Sequence, residues 1–317
     1  KKGYKFKSTG DTEVLLASWD YWGVEALNKF DGMFAFSIWD KKQKSLYLAR
    51  DRFGKKPLVF SLSEDTIAFS SDIRSLKEIA YEGEINKLAI ESLFRFRFIY
   101  DPLTIYKNFK KLPAGSYLKF NSRGIEVRKW FSLKTQASSN NQKLNKKNIF
   151  DLTVKAVEKR LVSDVPLGIF LSSGLDSGII SACTADLGKK VPHFTVGYKN
   201  QGDYYDESFN ASKLAKHFGF EHNKLYLDER KIDPIIDDIL LSCDEPFGDS
   251  SAIPSYMIAK ETSEHIKVAL SGDGGDEIFG GYRKYVAFRW NLFTHFIPKF
   301  LRQSVGALLP DLKNNSL

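Results

Sequence analysis

The sequence predicts two dissimilar domains in succession, an α+β layer structure followed by an α/β domain on a parallel sheet. Three observations carry this reading. Up to about residue 120, short β-branched and aromatic runs are separated by Asp, Lys, Gly and Ser turns, the pattern of antiparallel strands. From about residue 148 onward, strand-like apolar runs alternate with helical patterns of about 10–15 residues, as in parallel βαβ units. Between the two, residues 135–147 are polar and poor in apolar side chains, so they read as a surface linker. The expected division is 1–120, a linker over 121–147, and 148–317.

Taken in order, Asp11 is the expected N-cap of a helix covering Val14 to Trp19, and Gly23 closes it. Residues 32–40, 45–50, 57–61 and 66–70 read as short strands packed on helices. A helical pattern over 88–94 follows. In the second domain, 165–171 is a buried strand and 178–187 a helix. Strands are then expected at 193–198, 224–227 and 267–270, with helices at 208–218, 232–242 and 253–262. Ligands of such sheets sit beyond the carboxyl ends of the strands. Leu171, Tyr198 and Leu270 stand at such ends, so the loops after them are expected to face one pocket.

Composition narrows the class. Of 317 residues, 43% are hydrophobic and 27% charged, the balance of a globular protein. No apolar run approaches the ~18–20 residues that span a bilayer and no signal peptide opens the chain; the sparse cysteines favour a reducing compartment, so a cytoplasmic protein is expected. Two cysteines cannot build a disulfide framework, and five scattered histidines show no zinc spacing. The net charge of +8 raises the question of nucleic acid. The basic residues are dispersed, however, so a solvated lysine surface is the simpler reading, and neither nucleic acid nor membrane is an expected partner. The chain begins at Lys1 without an initiator Met, and a fragment at both ends is expected.

Two stretches carry chemistry. Leu171-Ser-Ser-Gly-Leu-Asp-Ser177 joins the first strand of the second domain to its helix. Backbone N–H groups of such a turn, with the helix dipole behind them, suit phosphate oxygens. Its spacing is neither that of a P-loop NTPase nor that of a dinucleotide fingerprint. It matches Ser-Gly-Gly-x-Asp-Ser, the PP-loop of ATP pyrophosphatases, with Ser173 where glycine is usual. After the strand at 267–270 comes Ser271-Gly-Asp-Gly-Gly-Asp-Glu-Ile-Phe-Gly-Gly-Tyr282. Its glycines allow close approach of backbone to ligand. Asp273, Asp276 and Glu277 would repel a triphosphate unless a hard cation such as Mg²⁺ bridges them. The plain alternative is a turn capped by its own carboxylates.

With these two stretches, the sequence resembles the glutamine-dependent asparagine synthetases. Gly32-Met-Phe-Ala-Phe36 and Ala49-Arg-Asp-Arg-Phe-Gly-Lys-Lys-Pro-Leu58 resemble the family's glutaminase domain, while Tyr205-Asp-Glu-Ser208 and the segment from Asp244 to Pro254 resemble its bacterial branch. The resemblance implies an Ntn-hydrolase-like glutamine amidotransferase domain of type 2, partial here, followed by a PP-loop ATP pyrophosphatase domain of the adenine nucleotide alpha hydrolase kind. It implies that a thioester formed on an N-terminal cysteine releases ammonia from glutamine. A carboxylate, aspartate in the family's name reaction, is then activated as an acyl-adenylate and amidated.

By the same resemblance, Leu171, Ser172, Ser173, Gly174, Leu175, Asp176 and Ser177 bind the pyrophosphate and the nucleotide beside it. Val196 packs on adenine, and Ser271 and Gly272 contact ATP. Asp176 and Asp276 hold Mg²⁺. Asp273, where many members have glutamate, serves adenylate formation and the incoming ammonia. Asp11 pairs with the α-amino group of glutamine, and the segment from Asp244 lines the acceptor pocket. The nucleophilic cysteine is expected upstream of residue 1, so the chain as written is not expected to hydrolyse glutamine; Cys183 and Cys243 are expected to be ordinary buried residues. Three alternatives stay open: a sugar acid or other carboxylate as acceptor, a tRNA-modifying PP-loop enzyme, and a non-catalytic homologue. A homodimer is also left open.

Overall fold

The computed structural model describes residues 3–134, 145–198, 206–227 and 232–294. The chain forms two compact units, one of 1–143 with 233–252 and one of 144–232 with 253–317.

The first unit opens with α1, Asp11–Trp22, and a 3₁₀ segment Gly23–Lys29. Asp11 is the first residue of the helix and Gly10 its cap, which corrects the expectation of an Asp11 N-cap. The adjacent carboxylate does local work instead: Glu13 accepts from Lys7 N–H (2.9 Å), Ser8 N–H (2.7 Å) and the Ser8 hydroxyl (2.6 Å). These bonds, the Ser8 hydroxyl foremost, hold its carboxyl below the usual range.

Strands β1 (Ala35–Asp40), β2 (Ser45–Arg50), β6 (Ser116–Asn121) and β7 (Gly124–Lys129) make one antiparallel sheet in that order. Strands β4 (Thr66–Ser70), β3 (Val59–Ser63) and β5 (Phe109–Lys111) make a second. Side-chain alternation along a strand sends neighbours to opposite faces, and the core shows the result. Tyr47, Ala49, Ile38 and Tyr117 pack with Trp19 and Leu27, on the helical side of the first sheet. Leu48 and Leu118, one residue along, pack with Leu58, Phe60 and Leu112 of the second sheet's stretch. The far face of that sheet, Val59 and Phe109, meets Ile73 and Leu76 of α2 (Ile73–Lys77). The layers therefore run helix, sheet, sheet, helix. Strand β7 lies within 121–147, so the first part of the expected linker is a strand paired to β6, from Asn121 opposite Gly124 onward. An Asn121 side-chain bond to Arg123 N–H (2.9 Å) shapes the turn between them. The rest of that linker over 135–144 falls outside the described residues.

Helix α3, Lys87–Phe96, is capped by the Asn86 side chain, which accepts from Leu88 N–H. The segment 233–252 belongs to this unit although the sequence pattern places it in the second domain. Two carboxylates explain why. Asp244 accepts from Ile73 N–H (3.0 Å) and pairs with Arg74 (3.4 Å). Glu245 accepts from Ile105 N–H (2.7 Å) and pairs with Lys111 (2.5 Å). These contacts tie the two residues to the first unit.

The second unit carries α4 (Lys146–Arg160) and a parallel sheet in the order β10-β9-β8-β11, with β8 Leu167–Phe170, β9 His193–Tyr198, β10 His222–Leu227 and β11 Val268–Leu270. The connecting helices α5 (Leu175–Asp186), α6 (Ser208–Phe218) and α8 (Ala252–Thr262) give the expected alternation, while α7 (Ile232–Ser242) lies almost wholly in the first unit's segment. Helix α5 starts three residues earlier than its apolar pattern suggests, because Leu175 is exposed and Asp176 and Ser177 are polar, so none of the three extends that pattern. The carboxylate loop is partly helical, with α9 over Gly275–Phe279 and α10 over Arg283–Thr294 after it.

Candidate active site

Strand β8 lies between β9 and β11, and all three are parallel. Their carboxyl ends therefore open on one edge of the sheet, and the turn after β8 and the loop after β11 are neighbours. Leu171 leaves β8 buried at the centre of this edge: its N–H donates to Phe194 O (2.8 Å) and its carbonyl accepts from the Thr195 hydroxyl (2.6 Å). Val196, half-buried, follows Thr195 in β9. Thr195 Oγ also meets His222 Nε2 (2.8 Å), and His222 Nδ1 meets Ser212 Oγ (3.0 Å).

The turn itself is stitched by hydroxyls. Ser177 Oγ, buried, accepts from Ser172 N–H (3.1 Å) and lies 2.8 Å from Ser172 Oγ. Ser172 Oγ accepts from Gly174 N–H (3.1 Å). Ser173 is not in the left-handed region, which among non-glycine described residues holds only Lys44, Glu64 and Arg97. Serine therefore stands in the glycine position without backbone strain. Its N–H donates to the Glu207 carboxylate (3.0 Å). Gly174 caps α5 with extended backbone, and no side chain caps the helix. The first-turn amides of Leu175, Asp176 and Ser177 precede the first intrahelical bond, Gly178 N–H to Gly174 O. That end of the helix favours anions.

The loop after β11 presses on this first turn. A Cβ on Gly272 would lie 2.7 Å from Ser177 N and 2.9 Å from Asp176 Cβ, and one on Gly275 would lie 2.5 Å from Asp176 Cγ. At Gly272, where most of the opposing atoms are backbone, only glycine permits that approach; at Gly275 a Cβ would displace the Asp176 carboxyl group. Asp176 is thereby set against Gly275, the residue before Asp276 in α9. Asp273 is exposed and accepts from the Ser271 hydroxyl (2.8 Å), while Glu277 accepts from Tyr282 (2.7 Å), which pushes the phenol up to about 12. The predicted residues of this unit, from Leu171 to Ser177 and from Ser271 to Asp276, with Val196 in β9, thus share one sheet edge. Glu207, Gly275 and Thr195 join them without having been singled out. Glu207 had a signal in Tyr205-Asp-Glu-Ser208; Tyr205 itself lies outside the described residues.

In the first unit, Asp11 is exposed at the start of α1. The two glutaminase-like stretches are locked together by Asp51, whose buried carboxylate accepts from Phe34 (3.2 Å), Phe53 (3.1 Å), Lys55 (3.0 Å) and Lys56 (2.9 Å) N–H. Arg50, also buried, pairs with Asp101 (2.8 Å) and donates to the carbonyls of Gly54, Lys56 and Leu112. Cys183 is buried, and burial pushes its thiol up, the opposite of an activated nucleophile.

Residues 148–315 match the asparagine synthase family and residues 1–131 the glutamine amidotransferase domain. The chain belongs to the asparagine synthase family. Within it, the chain is 36% identical over 285 residues to the glutamine-hydrolysing asparagine synthetase 1 of Bacillus subtilis, covering 90% of this chain and 45% of that protein. It is 36% identical over 316 residues to the putative glutamine-hydrolysing asparagine synthetase 2 of Methanocaldococcus jannaschii, covering 96% of this chain and 60% of that one. This member of the asparagine synthase family thus spans about half the length of the curated relatives it matches. Among solved structures, a glutamine-dependent NAD⁺ synthetase from Acinetobacter baumannii is similar at 13% identity and a TM-score of 0.33, covering 86% of this chain and 65% of that one, a likeness too slight to bear on the fold. Among the described residues no helix is long and apolar enough to cross a membrane.

Proposed function

We propose that the second unit binds ATP and activates a carboxylate, and that the chain is part of a ligase that amidates it with nitrogen from glutamine. One observation carries the reading: a serine-and-glycine turn at a helix N-terminus and a carboxylate-bearing glycine loop meet at one sheet edge, with Gly272 and Gly275 against Asp176 and Ser177. An anion site alone would serve many ligands; an anion site with acidic side chains at its rim calls for a nucleotide bound with a cation.

The residues present fit Mg²⁺. Asp176 and Asp276 offer hard oxygen donors, and neither is in an ion pair with Lys or Arg among the described residues. No group of three or more His, Cys, Asp or Glu side chains there is set to hold a metal. Two carboxylates, with water and phosphate oxygens completing the shell, match the habit of Mg²⁺. When bound, it would neutralise charge developing on the phosphates.

The α5 amides and the Ser172 and Ser177 hydroxyls would hold the β- and γ-phosphates, with Leu171 and Val196 beside adenine and Ser271 and Gly272 at the α-phosphate. The substrate carboxylate oxygen would attack the α-phosphorus as the bond to the bridging oxygen breaks and pyrophosphate leaves. Ammonia would then attack the acyl carbon, AMP would leave with the C–O bonding pair, and Asp273 would stand near the proton released. In the first unit Asp11 would meet the α-amino group of glutamine. Aspartate is the proposed acceptor, from the names of the relatives.

The test is release of pyrophosphate from ATP with aspartate, then with uronic acids, using ammonium and glutamine in turn. Release with aspartate and formation of asparagine supports the proposal. Release with a uronic acid alone moves the acceptor, and none with any carboxylate ends the ligase reading.

A further inference from the structure

The three backbone amides of the turn before α5 are capped from within the protein, and the caps differ in kind. Ser172 N–H and Gly174 N–H donate to hydroxyls, those of Ser177 and Ser172. A hydroxyl accepts such a bond while staying neutral, even where its own proton is given within the turn, as that of Ser177 is to the carbonyls of Ser172 and Gly174 (both 3.3 Å). Ser173 N–H instead donates to the Glu207 carboxylate at 3.0 Å. A carboxylate has no proton to offer, and its charge repels a phosphate. It occupies the amide as a phosphate oxygen would.

Glu207 is placed to leave. It is exposed, it precedes the first residue of α6, and its side chain makes this bond across 34 residues of sequence. Its anchoring is by backbone: Glu207 O accepts from Ala211 N–H (3.0 Å), and the neighbouring Ser208 N–H is held by Asp206 (2.9 Å). The side chain can swing without unwinding the helix.

We propose that Glu207 is a gate on the phosphate turn, an internal anion that holds Ser173 N–H when no nucleotide is bound, yields it to the triphosphate, and retakes it as pyrophosphate departs. The inference rests on the nucleotide reading of this turn. On this view the carboxylate weakens the binding of ATP and pyrophosphate and speeds product release.

The experiment measures binding of inorganic pyrophosphate and of ATP to the wild-type chain, Glu207→Gln and Glu207→Ala by calorimetry, at low salt and at about 0.5 M salt, with thermal unfolding of each. Glu207→Gln keeps an acceptor for Ser173 N–H and removes the charge. Both variants are expected to bind pyrophosphate about tenfold more tightly than wild type at low salt, with the gap narrowing at high salt as the charge is screened. If either folded variant binds pyrophosphate equally or more weakly, Glu207 holds the turn in shape and the gate is wrong. If wild type and both variants bind neither ligand, the nucleotide reading falls and the gate with it. Should Glu207→Ala lose its folded transition, Glu207→Gln alone decides.

Discussion

Replacing Gly272 with alanine tests the closest approach in the proposed site. The added Cβ would sit 2.7 Å from Ser177 N, 2.9 Å from Asp176 Cβ and 3.0 Å from Asp176 C. Ordinary contact distances are about 3.5 Å, so the β11 loop must retreat by roughly 0.8 Å. The opposing atoms are mostly backbone of the first turn of α5, and that turn is pinned by Ser177 to Ser172 and Gly174. No flexible side chain can absorb the shift. Overpacking of this kind costs about 1–3 kcal/mol of stability. Moving reacting groups by most of an ångström costs about 10–100-fold in rate. Gly272→Ala should therefore lower kcat/KM for carboxylate-dependent pyrophosphate release by about that factor while the protein still folds. Gly275→Ala is the contrast, because its Cβ meets the Asp176 carboxyl group, a side chain that can rotate away. It should unfold close to the wild-type temperature yet lose comparable activity. Wild-type kcat/KM in a folded Gly272→Ala protein would refute the juxtaposition of the two loops.

Three further outcomes follow from the same geometry. Ser173→Gly relieves no strain, so it should leave ATP binding no tighter and cost about 0.5–1 kcal/mol through added backbone freedom; a clear gain in ATP affinity, measured by calorimetry, would contradict this. His193 is fully buried, bonded to Val191 O and Ser181 Oγ and stacked on Phe220, and burial holds its imidazole down to about 4 from 6.5. The unfolded chain takes up that proton first as pH falls, so the stability tied to the neutral ring is present above 6.5 and lost towards 4, on the order of 2 kcal/mol between pH 7 and 5. From denaturant titrations at the two pH values, wild type should lose about that much more unfolding free energy than His193→Gln on going from pH 7 to 5, and equal losses would count against it. Asp51→Asn leaves a single acceptor oxygen facing four N–H donors, and the thermal transition should drop by about 6–12 °C for a loss near 3 kcal/mol.

Much of this protein was legible in the residues because local chemistry wrote it. Alternation of apolar side chains marked β1 to β4, whose buried faces are set by the sheet pleat. The strand-and-helix alternation marked β8 to β11. Glycine, serine and aspartate in fixed order marked both halves of the proposed site, since tight turns and close approach admit few substitutes. Elements lacking such a pattern escaped notice. Strand β7 is exposed throughout and α4 carries a single buried residue, Val157, so neither has an apolar stripe to reveal it.

Only the tertiary structure decided which residues meet. That Gly275 lies on Asp176 follows from β11 pairing with β8 across about 100 intervening residues, a register no local signal specifies. That Asp244 and Glu245 serve the first unit depends on the orphan N–H groups of Ile73 and Ile105, far away in sequence. The role of Ser173 is likewise set by the fold: residue identity names the side chain, whereas the backbone angle and the Glu207 bond at its amide are set by how β8, α5 and α6 pack.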